Sequence, residues 1–85
     1  TSMLISSPKE LALYAMNQRK KLNLTQSDVG RLVGLKQQTV SEFEINPEGT
    51  RIETIFRILS ALNLDVQLTA KSEKNLTDSR WSEQW

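Results

Sequence analysis

At 85 residues with a formal net charge of +1, the chain suits one domain that buries about 60–65 % of its unfolded surface, so its stability is marginal unless a partner adds to it. It contains no Cys and no His, which excludes a disulfide framework and a thiolate metal site and removes the commonest general base and metal ligand. No apolar run approaches membrane-spanning length and no secretory signal is visible, so a cytoplasmic protein is the expectation.

Net charge alone does not point to nucleic acid, but the distribution of charge is informative. Residues 1–40 carry six bases against two acids, a balance of +4, and residues 41–85 carry five against eight, a balance of −3. A field this lopsided steers one face toward a phosphate backbone.

Residues 1–7 read as a flexible, unanchored start. Ser7-Pro8 opens a helix, with Ser as the cap and Pro at the first helical position. That helix covers about residues 8–21, with Leu11, Ala15 and Leu22 on a core-facing stripe and Ala12 and Leu13 flanking it. Its last turn places Arg19, Lys20 and Lys21 at the negative end of the helix dipole. For Lys20 and Lys21, phosphate contact and plain solvation are both open.

The organising stretch is residues 24–44, LTQSDVGRLVGLKQQTVSEFE. Thr25 is a good N-cap, and Asp28 three residues on is close to a capping box. The first helix covers about residues 26–33. Gly34 then takes the left-handed conformation that ends a helix cheaply. A second helix covers about residues 36–44, until Asn46 and Pro47 stop it. Val29, Leu32 and Val33 share one face of the first helix. Val40 and Phe43 share one face of the second, and Leu35 fills the corner. The opposite face of the second helix is Lys36, Gln37, Gln38, Ser41 and Glu42. That face is polar, and water or a polar partner covers it.

Two short helices joined by a tight glycine turn form the pattern of a DNA-binding helix-turn-helix. The stretch resembles the Cro/phage-repressor family in Thr25-Gln26, Gly34, Val40, Ser41 and Glu44. Gly30 stands where that family usually has Ala. The position demands a small residue because the second helix crosses close by, and Gly costs roughly 1 kcal/mol of helix propensity there. The resemblance implies a sequence reader built from Lys36, Gln37, Gln38 and Ser41, since Gln bonds adenine and Lys bonds guanine in the major groove. Gln26 and Ser27, at a helix N-terminus, suit phosphate oxygens, and Lys20, Lys21 and Arg31 add charge. It further implies that Arg19 pairs with Glu44, a contact that pins two helices more than it stabilises them.

Residues 45–50 (INPEGT) form a loop, and Thr50 caps a fourth helix over about residues 51–62. Ile52, Ile55, Phe56, Ile58, Leu59 and Leu62 make its stripe wider than one small core needs, and the spare area marks an interface. Asn63 breaks this helix. Residues 64–69 (LDVQLT) then alternate strictly, with Leu64, Val66 and Leu68 on one side. That is a strand with no partner elsewhere in the chain, so it pairs with its own copy across a two-fold axis. Residues 70–85 alternate in charge among Ser, Asn, Thr and Gln and read as a flexible tail, yet it carries Trp81 and Trp85. The two indoles either fold back on their own domain or enter a partner protein.

Motif, loop, helix, lone strand and Trp-ended tail together resemble the HipB antitoxin family across nearly the whole chain. The resemblance implies a mainly α, four-helix domain over residues 8–69 with one C-terminal strand pairing across a homodimer. It implies binding to palindromic operator DNA, repression of its own operon, and capture of a HipA-type serine/threonine kinase toxin by Trp81 and Trp85. A stand-alone phage-type or stress repressor is the alternative, and a module that never touches DNA is another. No metal or cofactor is expected. With no His or Cys, the carboxylates fall on solvated helix faces or in the tail, which reads against an enzyme.

Overall fold

The computed structural model describes residues 3–71. Four helices follow in order: α1 (Pro8–Lys21), α2 (Gln26–Val33), α3 (Gln37–Ile45) and α4 (Ile52–Ala61), with a 3-10 turn at Pro47–Gly49 between α3 and α4. Ser7 caps α1 by accepting from the Glu10 N–H at 3.1 Å, while the Glu10 carboxylate accepts from the Ser6 N–H at 2.7 Å. Thr25 and Asp28 form a complete capping box at α2, each side chain accepting from the other's backbone N–H. The starts of α3 and α4 are different. Lys36 and Arg51 occupy their N-cap positions, and neither start has a side-chain cap bond. Thr50, which the sequence predicts as the cap of α4, does not fill that position. It lies one residue too early, because its own N–H closes the 3-10 turn on Pro47.

Three of the helices end by one device. Asn23, Gly34 and Asn63 take positive φ of 60°, 73° and 63°. The leucine after each sends its N–H back five residues, Leu24 to Arg19, Leu35 to Gly30 and Leu64 to Leu59, at 3.0, 2.8 and 2.9 Å. This closure satisfies carbonyls that would be orphaned and turns an apolar side chain back under the helix. All three leucines pack against the core. The tripeptide Leu-Asn-Leu at residues 22–24 and again at 62–64 spells the closure out in sequence.

The core is Ala12, Ala15, Val29, Val40, Phe43, Ile58, Leu59 and Leu62. Val29, Val40 and Phe43 are fully enclosed, as their spacing predicts. In α1 the buried positions are Ala12 and Ala15, whereas Leu11 is half-buried and Leu13 and Leu22 are exposed. Leu22 drops off the predicted stripe because it is the C-cap, where the chain leaves helical phase. Leu32 is also exposed, contrary to its place on the predicted face of α2. Gly30 takes its place inside, so the buried arc of α2 runs from Val29 to Gly30 with Val33 half-buried between them, and leaves Leu32 beyond its edge. In α4, Ile58, Leu59 and Leu62 face inward while Ile52 and Phe56 remain exposed, which is the spare apolar area read from the sequence.

Beyond α4, Leu64 is half-buried against the core, and Val66 and Leu68 are exposed. No strand occurs among the described residues, and residues 64–71 carry no regular structure within the single chain. No helix among them is long and apolar enough to cross a membrane. The tail with Trp81 and Trp85 lies outside the described residues.

The two motif glycines answer different demands. Gly34 has open space where a Cβ would go and is needed for its left-handed backbone. Gly30 is ordinary helix, but a Cβ there would overlap the Leu35 carbonyl oxygen. Helix propensity alone would make Gly30→Ala stabilising by about 1 kcal/mol. The overlap with backbone reverses that sign, and the expected loss is about 1–3 kcal/mol. Urea unfolding checks it, and a variant more stable than the parent would mean that the turn yields freely.

Candidate nucleic-acid interface

One connected set of polar side chains runs from α1 to the start of α3. Arg19, in the last turn of α1, grips Glu44 with two parallel bonds: Nε to Oε2 at 2.7 Å and Nη2 to Oε1 at 3.1 Å. Its third nitrogen, Nη1, donates to the Leu24 carbonyl at 2.9 Å. Gln26, the first residue of α2, donates its Nε2 to Glu44 Oε1 at 2.9 Å. Gln37, the first residue of α3, donates its Nε2 to Gln26 Oε1 at 2.6 Å. The Arg19 and Glu44 side chains are only 12 % and 6 % exposed, so the bidentate bond forms largely out of water and is strong and directional. The Arg19–Glu44 pair expected from family resemblance is present. The sequence does not predict the Gln26–Gln37 contact, since each amide reads there as facing nucleic acid. The signal available was a Gln at the start of each motif helix.

This chain of bonds brings two helix N-termini together. At α2 no partner among the described residues takes the backbone N–H of Gln26 or Ser27, and at α3 the same holds for Gln37 and Gln38. Free N–H groups with the positive end of a helix dipole suit anionic oxygens. Around them Lys36, Gln37, Gln38 and Ser27 are exposed, and Ser41 is half-buried one turn further along α3. The polar face of α3 is therefore adjacent to the start of α2, with amides as its most forward groups. Gln26 keeps one side-chain N–H free after serving Glu44.

The cations divide into two groups. Lys20 and Lys21 are exposed at the end of α1, beside the turn that enters α2. Arg31 is exposed on α2 and ion-paired with Asp28. The Thr25 backbone N–H holds the Asp28 carboxyl below its ordinary value, assisted by the Thr25 hydroxyl and the Arg31 charge and opposed by desolvation. Arg31 is thus tied to the cap of its own helix through an exposed pair, which a competing phosphate displaces at little cost. Lys36 stands at the N-cap of α3, next to the amides.

A second, apolar surface lies elsewhere on the domain. Phe56, Leu59, Leu64, Val66 and Leu68 line a shallow groove between α4 and the segment that follows it. Phe56, Val66 and Leu68 are all exposed in the single chain.

A helix-turn-helix family model matches residues 16–68, which spans the end of α1, all of α2 to α4 and the segment beyond. Antitoxin HipB of Escherichia coli (strain K12) is 41 % identical over 64 residues, covering 75 % of this chain and 73 % of that protein. Antitoxin HipB of Escherichia coli O6:H1 is likewise 41 % identical over 64 residues, covering 68 % of its length. Among solved structures, the HipA–HipB–O2–O3 complex contains a chain that superposes with a TM-score of 0.80 at 37 % identity, covering 84 % of this chain and all of that one. The HipB–O4 20-mer complex gives the same TM-score, identity and coverage.

Proposed function

The chain belongs to the HipB antitoxin family of helix-turn-helix proteins, and from that membership and the geometry of α3 we propose that it is an operator-binding transcriptional repressor and the antitoxin of a HipA-type serine/threonine kinase. The family is not an enzyme family. The observation that carries the DNA half is the junction of the α2 and α3 N-termini, with unpartnered N–H groups and exposed amides on one face. In this reading α3 lies in the major groove. Gln37 and Gln38 read base edges, Lys36 donates to a guanine, and Ser41 reaches a base or phosphate. Gln26, Ser27, Lys20, Lys21 and Arg31 hold the phosphate backbone on either side.

Binding to duplex DNA is expected to weaken steeply with salt. Replacing Lys20, Lys21 or Arg31 with Ala flattens the log–log salt slope by about 0.9 per lost phosphate contact. Gln38→Ala costs about 1–3 kcal/mol at one base position and leaves the slope alone. Titration by fluorescence anisotropy over a salt series separates the two kinds of residue. Salt-independent behaviour, or no duplex binding at all, would favour a module that works only on proteins.

The functional unit in this proposal is a homodimer. Residues 64–69 pair with their copies as a two-stranded ribbon, with Leu64, Val66 and Leu68 closing over Phe56 and Ile52 of α4. Pairing supplies backbone partners that residues 65–69 lack among the described residues and covers the exposed apolar groove. It also sets two copies of α3 about 34 Å apart, one turn of DNA, as a palindrome requires. Deleting residues 65–70 is expected to give a monomer with lost operator affinity. Sedimentation of that variant as a dimer would place the interface elsewhere.

The antitoxin half rests on family membership and on likeness to a chain of the solved HipA–HipB–O2–O3 complex. Trp81 and Trp85 are the proposed anchors in the kinase, since a buried Trp contributes roughly 2 kcal/mol or more at an interface. Trp85→Ala is expected to weaken kinase binding at least tenfold, taking about 1.4 kcal/mol per decade, with operator binding unchanged. Calorimetric titration against the kinase reads this directly, and an unmoved affinity would remove Trp85 from the interface.

A further inference from the structure

The bonds that join Arg19, Glu44, Gln26 and Gln37 have a direction. A carboxylate only accepts, and Arg19 only donates. Glu44 Oε1 takes one N–H from Arg19 and one from Gln26. Gln26 must therefore present its NH2 end to Glu44, and its oxygen is left facing α3. That oxygen accepts from Gln37 Nε2 at 2.6 Å. Gln37 in turn must present its NH2 end to Gln26, and its Oε1 points the other way. The amide ends of both glutamines are thus settled by a largely buried ion pair on another helix rather than by free rotation.

We propose that Glu44 is a specificity-positioning residue: by fixing the amide order of Gln26 and then of Gln37, it sets whether Gln37 meets a base edge donor-first or acceptor-first. The proposal rests on the operator-binding reading of α3. A base pair and its inverted counterpart, A·T against T·A, offer the same groups in the major groove in opposite order. A freely rotating amide accommodates either order by turning over. An amide held by Gln26 has one N–H and its oxygen left to offer, and offers them in one order only. Glu44 touches no base in this scheme. It acts through two side chains, and Arg19 holds it in place by two parallel bonds.

The test compares base preferences, which a purely structural role would leave intact. A preferred site is first selected from a library of randomised duplexes with the full-length protein. Binding is then measured to duplexes carrying each base pair at every position of that site. The parent protein is expected to discriminate between the two orders of one pair by about 10- to 100-fold at the position served by Gln37. Glu44→Gln replaces the acceptor-only group with an amide that turns either way, so discrimination at that position falls toward parity while other positions keep theirs. Gln26→Met breaks the relay without touching the ion pair and has the same effect, which covers the case that Glu44→Gln fails to fold. In a Gln37→Ala background, Gln26→Met has no further effect at this position. A parent that selects a site, with Gln26→Met still discriminating the inverted pair, would overturn the inference alone. A parent that selects no sequence would overturn the operator reading and the inference with it.

Discussion

The Arg19–Glu44 pair is the contact on which the arrangement of the domain depends. It ties the last turn of α1 to the last turn of α3 across 25 positions of sequence. The same guanidinium holds the Leu24 carbonyl, so the entry into α2 is fixed by the group that fixes the end of α3. Desolvation of the two charges offsets much of their attraction, and the pair adds little net stability compared with an apolar pair of similar size. Its effect is on geometry. A planar fork meeting a carboxylate in two bonds admits one relative placement of two helices. The polar face of α3 inherits that placement, and so do the two glutamines that extend the network outward.

Everything else in the fold makes a small core sufficient. Eight buried residues form it, two of them alanines that let α1 approach the motif closely. Three leucines that follow left-handed residues are tucked beneath helix ends, which adds apolar contact without adding helix. Gly30 belongs to the same economy, because the Leu35 carbonyl occupies the space its side chain would need. The helix pair of the motif is therefore close and rigid at the turn, although α2 and α3 are only 8 and 9 residues long. Isolated helices of that length are unstable in water. They persist here because caps, turn and core fix both ends at once.

The surface left over is divided by chemistry. Amides, free N–H groups and cations gather at the starts of α2 and α3, a face that gains nothing from apolar contact. Phe56, Val66 and Leu68 gather at α4 and beyond, a face that gains nothing from water. Distinct partners on distinct faces are what a protein requires if it is to bind nucleic acid and protein together.

The sequence by itself determined the helices and the motif turn, whereas the strand read at residues 64–69 has no regular structure within the single chain. Caps at Ser7 and Thr25, glycine at residue 34, and apolar spacing around Val29, Val40 and Phe43 place α1, α2 and the motif turn as observed. These signals are short in range, and nothing distant competes with them. The excess apolar area of α4 was also legible, because it is a count of residues on one helix. Tertiary structure decided which of several eligible side chains were used. Leu22 and Leu32 have the right chemistry for burial but stand off the packed arc, and Gly30 is inside in place of Leu32. Thr50 is a suitable cap residue one position early. The inward bonds of Gln26 and Gln37 were not visible, since either amide satisfies itself with water until a buried carboxylate 18 residues from Gln26 is folded against it. Composition and spacing name the groups that a chain has available. Which of them are spent on one another follows only when packing has set their distances.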